Sequence, residues 1–166
     1  LPVTELGDVR VLVVDDNNSS REILSGMLTS LGLRVEHAAT GQRALALLRE
    51  ASDDDPYQII LMDWKMPGMN GIETTQIVQS DKQLTTVPTV IMATAYGREE
   101  ASEAAADVNI NAFLTKPVTS STLLDAIMRA MGHTIVTKSR DRSRHDSAAG
   151  DIAKLRGAKV LLVEDN

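Results

Sequence analysis

The sequence has no cysteine, and its aromatic side chains are limited to one Trp, two Tyr and one Phe among 166 residues. Without thiols there is no disulfide framework, no thiolate zinc site and no cysteine nucleophile, and a cytoplasmic setting is the simplest expectation. Scarce aromatics leave Val, Leu, Ile, Ala and Met to build the core, which suits helices packed on a buried parallel sheet. Basic residues are outnumbered, 17 against 23 acidic, for a net charge of −6. That balance argues against a nucleic-acid groove, whose affinity comes mainly from neutralising phosphates with Lys and Arg. No apolar run approaches the roughly 18 residues that cross a bilayer, and residues 1–8 lack the basic-then-apolar pattern of a secretory signal. No membrane contact is expected of these residues. The length suits one folded domain plus a remainder.

What the chain does have is regular alternation. Arg10-Val11-Leu12-Val13-Val14 is an apolar, β-branched run suited to a strand buried on both faces, and it stops at Asp15-Asp16. Ser19-Ser20-Arg21-Glu22 offers a capping box, after which Ile23, Leu24, Met27, Leu28 and Leu31 recur at helical spacing up to Gly32. Residues 33–38 alternate with period two and read as an edge strand, and residues 42–50 return to helix. The loop Asp53-Asp54-Asp55-Pro56 precedes a third strand, residues 57–62, which delivers Asp63 at its end. A Pro-Gly turn at residues 66–71, a helix over 72–80, and a strand over 88–93 ending at Thr94 follow. Residues 98–107 are helical by propensity but rich in Ala, Glu and Ser, so this helix offers little apolar area to a sheet. A fifth strand, residues 111–115, ends at Lys116-Pro117, and Leu123, Leu124, Ile127, Met128 and Met131 mark a last amphipathic helix closed by Gly132.

Five β/α units imply a doubly wound α/β fold, a five-stranded parallel sheet in the flavodoxin-like order 2-1-3-4-5 with helices on both faces. The domain is expected to span residues 1–132. Residues 133–157 are polar, basic and without apolar period, which reads as a flexible linker. Residues 158–166 contain Lys159-Val160-Leu161-Leu162-Val163-Glu164-Asp165-Asn166, which repeats Arg10 to Asn17 position for position. They read as the truncated first strand of a second copy of the domain.

In such folds the cleft lies beyond the carboxyl ends of the strands, where Asp15, Asp16, Asp63, Thr94 and Lys116 all fall. Two unit charges about 4 Å apart repel by roughly 4 kcal/mol at an effective dielectric of 20. A divalent cation relieves that repulsion, and Mg2+ suits a site of a few carboxylates, a carbonyl and water. Lys116 at the same rim pairs with a carboxylate or holds an arriving phosphoryl oxygen, and Thr94 adds a hydroxyl donor. A carboxylate nucleophile with these neighbours fits phosphoryl transfer and an aspartyl phosphate product. Singly, each residue has a plainer reading: Asp15-Asp16 as a helix cap, Asp63 as the start of a turn, Thr94 as a strand end, Lys116 as a solvated charge. Their shared placement outweighs those readings.

The strings Val14-Asp15-Asp16-Asn17, Asp63-Trp64-Lys65-Met66-Pro67-Gly68-Met69-Asn70-Gly71, Thr94-Ala95 and Lys116-Pro117 resemble the receiver domain of two-component signalling over about residues 9–131. The resemblance implies Asp63 as the phosphoacceptor, Asp16, Asp63 and the Lys65 carbonyl as direct magnesium ligands, and Asp15 as a ligand through water. Thr94 and Lys116 would bind the phosphoryl group, Phe113 matches the switch aromatic, and Lys116-Pro117 is expected to be cis. The partners implied are a phosphohistidine-bearing kinase or histidine phosphotransfer domain, and a second receiver domain in the same parent chain. The longer strings around Asp63, Thr94 and Lys116 look like receivers within hybrid sensor histidine kinases. A receiver-like interaction module without phosphorylation, or an aspartyl-phosphate hydrolase, stays open as an alternative. The hydrolase lacks support, because Trp64-Lys65 provides no second carboxylate two residues after Asp63.

Overall fold

The computed structural model describes residues 8–95 and 97–132; the expected linker at 133–157 and the repeated segment at 158–166 lie outside them. Strands β1 (Arg10–Val14), β2 (Arg34–Ala38), β3 (Ile59–Asp63), β4 (Thr89–Thr94) and β5 (Ala112–Thr115) form one parallel sheet in the order β2-β1-β3-β4-β5. They alternate with helices α1 (Asn18–Ser30), α2 (Gly41–Glu50), α3 (Gly71–Ser80), α4 (Arg98–Ala104) and α5 (Ser120–Ala130). This is the flavodoxin-like arrangement that the β/α alternation predicts.

The period of two along β1 divides the core. Val11 and Val13 pack with Leu24 and Leu28 of α1 and Leu123 and Ile127 of α5. Leu12 and Val14 face the other layer, with Leu45 and Leu48 of α2, Val78 of α3 and Ala101 of α4. Each such aliphatic side chain contributes roughly 1.5–3 kcal/mol when fully buried, so the residue that follows β1 is delivered by a firmly anchored strand. β2 lies at the sheet edge as its alternation predicts, with Arg34, Glu36 and His37 exposed and Ala38 buried. Among the described residues no helix is long and apolar enough to cross a membrane.

Three local features depart from the sequence reading. The α1 cap is Asn17, whose side chain accepts from the Ser20 N–H at 3.0 Å. The expected box from Ser19 does not form, because the helix already begins at Asn18 and Ser19 lies within its first turn. Ile23 is 58% exposed, since the buried stripe of α1 runs through Leu24 and Leu28, four residues apart, and leaves its neighbour to one side. The fourth helix ends at Ala104 rather than Asp107. There the Ala106 and Val108 N–H groups reach back only three residues, to Glu103 and Ala105, and the helix tightens into turns. Gly32 closes α1 with φ of 88°, a left-handed conformation that a residue with a Cβ adopts only under strain.

Candidate functional site

Parallel register brings four strand ends to one edge of the sheet. Val14 pairs with Met62, Asp63 with Ala93, and Thr94 with Thr115. Asp15 therefore follows β1, Asp63 and Thr94 close β3 and β4, and Lys116 follows β5, side by side.

Asp15 is 1% exposed, and both of its carboxylate oxygens are engaged. Oδ1 accepts from the Asn17 N–H at 2.9 Å, and Oδ2 accepts from the Ser20 hydroxyl at 2.7 Å and from Lys116 Nζ at 2.8 Å. Burial alone would raise its pKa, but the bonds from Lys116, Ser20 and Asn17 together hold it below the usual carboxylate value. Asp63, 8% exposed, receives the same ammonium at 2.8 Å on Oδ1. Its pKa is nevertheless raised: burial outweighs the contribution of Lys116, and the charges of Asp15 and Asp16 push the same way. Burial works against the charge on Lys116, but its two carboxylate partners prevail and raise its pKa above the ordinary lysine value. Lys116 is thus a bridging cation between two acids, not a solvated rim charge.

Asp16 is exposed, and it completes a group with Asp15 and Asp63 in which one carboxylate oxygen from each lies within 4.8 Å of the others. Oxygens on opposite sides of an octahedral Mg2+ lie about 4 Å apart, so this all-oxygen set fits such an ion after small side-chain adjustments. The structure thus brings together Asp15, Asp16, Asp63 and Lys116. Thr94, 1% exposed, stands at the end of the neighbouring strand. The Lys65 side chain is exposed and its ammonium lies 4.4 Å from the centroid of the buried Trp64 ring. Phe113, on β5 opposite Met92, is half-buried against the α2–α3–α4 layer. The Lys116–Pro117 peptide is cis.

Two residues escaped the sequence reading. Ser20 and Arg21 looked like parts of a helix cap, yet the Ser20 hydroxyl binds Asp15 and the Arg21 guanidinium binds the Asp15 carbonyl at 2.7 Å and the Asp16 carbonyl at 3.1 Å. The available signal was a basic residue in the first turn of a helix, where the macrodipole disfavours it.

Residues 11–128 match the family described as response regulator receiver domain. The chain belongs to that family. This receiver domain is 32% identical over 121 residues to the chemotaxis protein CheY-3 of Vibrio cholerae, an alignment covering 72% of this chain and 89% of that protein. Among solved structures it is similar to the receiver domain of the histidine kinase CKI1 from Arabidopsis thaliana complexed with Mg2+ and BeF3-, with TM-score 0.66 and 32% identity over 78% of this chain and 94% of that one. It is also similar to the receiver domain of the sensor histidine kinase PA1611 from Pseudomonas aeruginosa PAO1, which has a magnesium ion coordinated in its active-site cleft. That match has TM-score 0.65 and 27% identity and covers 75% of this chain and 98% of that one. The protein is therefore a two-component signalling receiver domain with the phosphoacceptor fold.

Proposed function

We propose that this receiver domain takes a phosphoryl group from phosphohistidine onto Asp63 in a magnesium-dependent phosphorelay step. The observation that carries this reading is the convergence of Asp15, Asp16 and Asp63 within 4.8 Å, with one lysine bonded to two of them. Asp16, Asp63 and the Lys65 carbonyl would hold Mg2+ directly, and Asp15 through water. The ion supplies charge neutralisation at the phosphoryl oxygens. A carboxylate oxygen of Asp63 attacks phosphorus in line; the P–N bond to imidazole breaks, its electron pair leaves with the ring nitrogen, and an acyl phosphate forms. Lys116, already at the Asp63 carboxylate, takes up one phosphoryl oxygen as a compact point charge. Thr94 turns its hydroxyl to another, and the half-buried Phe113 moves inward into the space this opens, so that the loop after β4 and α4 take a second arrangement.

The donor is a phosphohistidine-bearing kinase or a histidine phosphotransfer domain, and the parent chain is a hybrid sensor histidine kinase working in the cytoplasm. Support comes from neighbours that are receiver domains of histidine kinases and from residues 159–166, whose sequence repeats that of β1 and its acids. In this reading residues 133–157 link the receiver to a second one that begins at 158.

The test is incubation with a small phosphodonor and Mg2+, followed by intact-mass measurement. A gain of one phosphoryl group in the wild type, absent from Asp63→Asn, is the expected result. No gain leaves an interaction module without phosphorylation, and sustained turnover of an external phosphomonoester points to a hydrolase.

A further inference from the structure

Arg21 occupies a place that helix electrostatics disfavours. It lies in the first turn of α1, where the unpaired N–H groups already carry positive charge, and no acidic residue accompanies it there. Among the described residues no carboxylate forms an ion pair with it. Its guanidinium is instead spent on two backbone carbonyls and one side-chain amide. Nη1 donates to the carbonyls of Asp15 at 2.7 Å and Asp16 at 3.1 Å, and Nη2 donates to Asn18 Oδ1 at 2.8 Å. Its Nε is buried with no hydrogen-bond partner, a penalty the side chain bears while Nη1 stays on the loop carbonyls and Nη2 on Asn18 at the start of α1.

We propose that Arg21 is a positioning residue for the divalent-cation site: by clamping the two carbonyls between β1 and α1, it aims the Asp15 and Asp16 carboxylates toward Asp63. This deepens the magnesium reading above and rests on it. The fork shape of the side chain matters, because one planar group spans two successive carbonyls and an amide oxygen, which a lysine ammonium cannot do in one fixed geometry. Ser20, on the same turn, holds the Asp15 carboxylate itself, so the first turn of α1 secures Asp15 at both its main chain and its side chain.

The sign of the effect separates clamping from charge. Removing a cation beside an acidic cluster strengthens Mg2+ binding if Coulomb attraction alone governs it, whereas loss of a clamp weakens it. The experiment titrates Mg2+ into the full chain as wild type, Arg21→Gln and Arg21→Lys. It follows heat and the fluorescence of Trp64, the only Trp in the sequence, with thermal melts in chelator as the control for folding. The expected result is a dissociation constant raised about 10–100-fold in Arg21→Gln, the range seen when groups that orient metal ligands are lost, and a smaller rise in Arg21→Lys. An unchanged or lowered constant in Arg21→Gln overturns the proposal, even if the melting temperature falls. Should that variant not fold, Arg21→Lys decides: a raised constant supports the clamp, and wild-type affinity overturns it. Absence of Mg2+ binding by the wild type overturns the magnesium reading and this inference together.

Discussion

Gly71 packs so closely beneath Asp63 that a Cβ at that position would overlap the Asp63 carbonyl oxygen and crowd Met62 Cγ. The contact lets α3 begin directly under the strand end, with the Gly71 N–H bonded to the Trp64 carbonyl at 2.8 Å. Because the obstacle is backbone, Gly71→Ala is expected to destabilise the domain by about 1–3 kcal/mol, the usual scale for overpacking. It should also displace the Asp63 carboxylate. Urea denaturation checks the first effect, and slower phosphoryl uptake in the folded variant checks the second.

Lys116 neutralises Asp15 and Asp63 at once, so Lys116→Ala leaves two largely buried carboxylates facing each other. Without metal the variant is expected to lose about 1–3 kcal/mol, the penalty for buried polar groups deprived of a partner. Mg2+ binding should persist at wild-type affinity or better, because the competing cation is gone, while the conformational response to phosphorylation is lost. Calorimetric Mg2+ titration and chemical-shift changes on phosphodonor addition check the two halves.

β1, β3 and β4 and the placement of the acids were legible because each of these strands is a short apolar run that stops abruptly at a polar residue, whereas β2 was legible by its period-two alternation. The changes from Val14 to Asp15 and from Met62 to Asp63 mark where the acids stand. Positions set by tertiary contact were not legible. Nothing local says that Asn17 rather than Ser19 caps α1, that Ile23 faces solvent, or that Arg21 reaches back to two carbonyls. Lys116 could be placed at the rim by its position after β5. Its bonds to both Asp15 and Asp63 depend on the strand order, which brings Lys116 to Asp63 and to Asp15, the latter 101 positions earlier in the chain.

Asp63 holds its proton more tightly in the folded, metal-free protein than in the unfolded chain, because burial and the neighbouring acids disfavour its charge. A raised folded pKa gives a stabilising contribution that is complete below the ordinary carboxylate value and lost as pH rises through the elevated one. At pH 7 in chelator the ionised side chain therefore works against folding, and Asp63→Asn is expected to melt a few degrees higher than wild type. The gap should narrow as the pH is lowered toward the carboxylate range. Adding Mg2+ stabilises the wild type by mass action and the variant less, closing or reversing the order. Thermal melts over a pH series, with and without Mg2+, give the comparison.

At the opposite end of the sheet, Tyr57 is 2% exposed, with the Arg10 guanidinium 4.1 Å from its ring centroid and Arg10 Nη2 3.2 Å from its hydroxyl. Burial and the nearby Glu36 carboxylate push its pKa from 10.0 up to about 12, against the opposing charge of Arg10. Below pH 10 the phenol is neutral in both folded and unfolded chains, and its contribution to stability is intact. As the pH rises from 10 toward 12 the unfolded chain releases the proton first, so the unfolded state gains and the domain loses stability with increasing slope. The phenolate absorbance that disappears in Tyr57→Phe is expected to titrate near pH 12 in the folded protein. The same substitution should flatten the alkaline fall in stability and cost about 0.5–1.5 kcal/mol at neutral pH for the lost hydrogen bond. A Tyr57 signal rising at the ordinary phenol value, in protein still folded by circular dichroism, would contradict this account of the Arg10–Glu36–Tyr57 cluster.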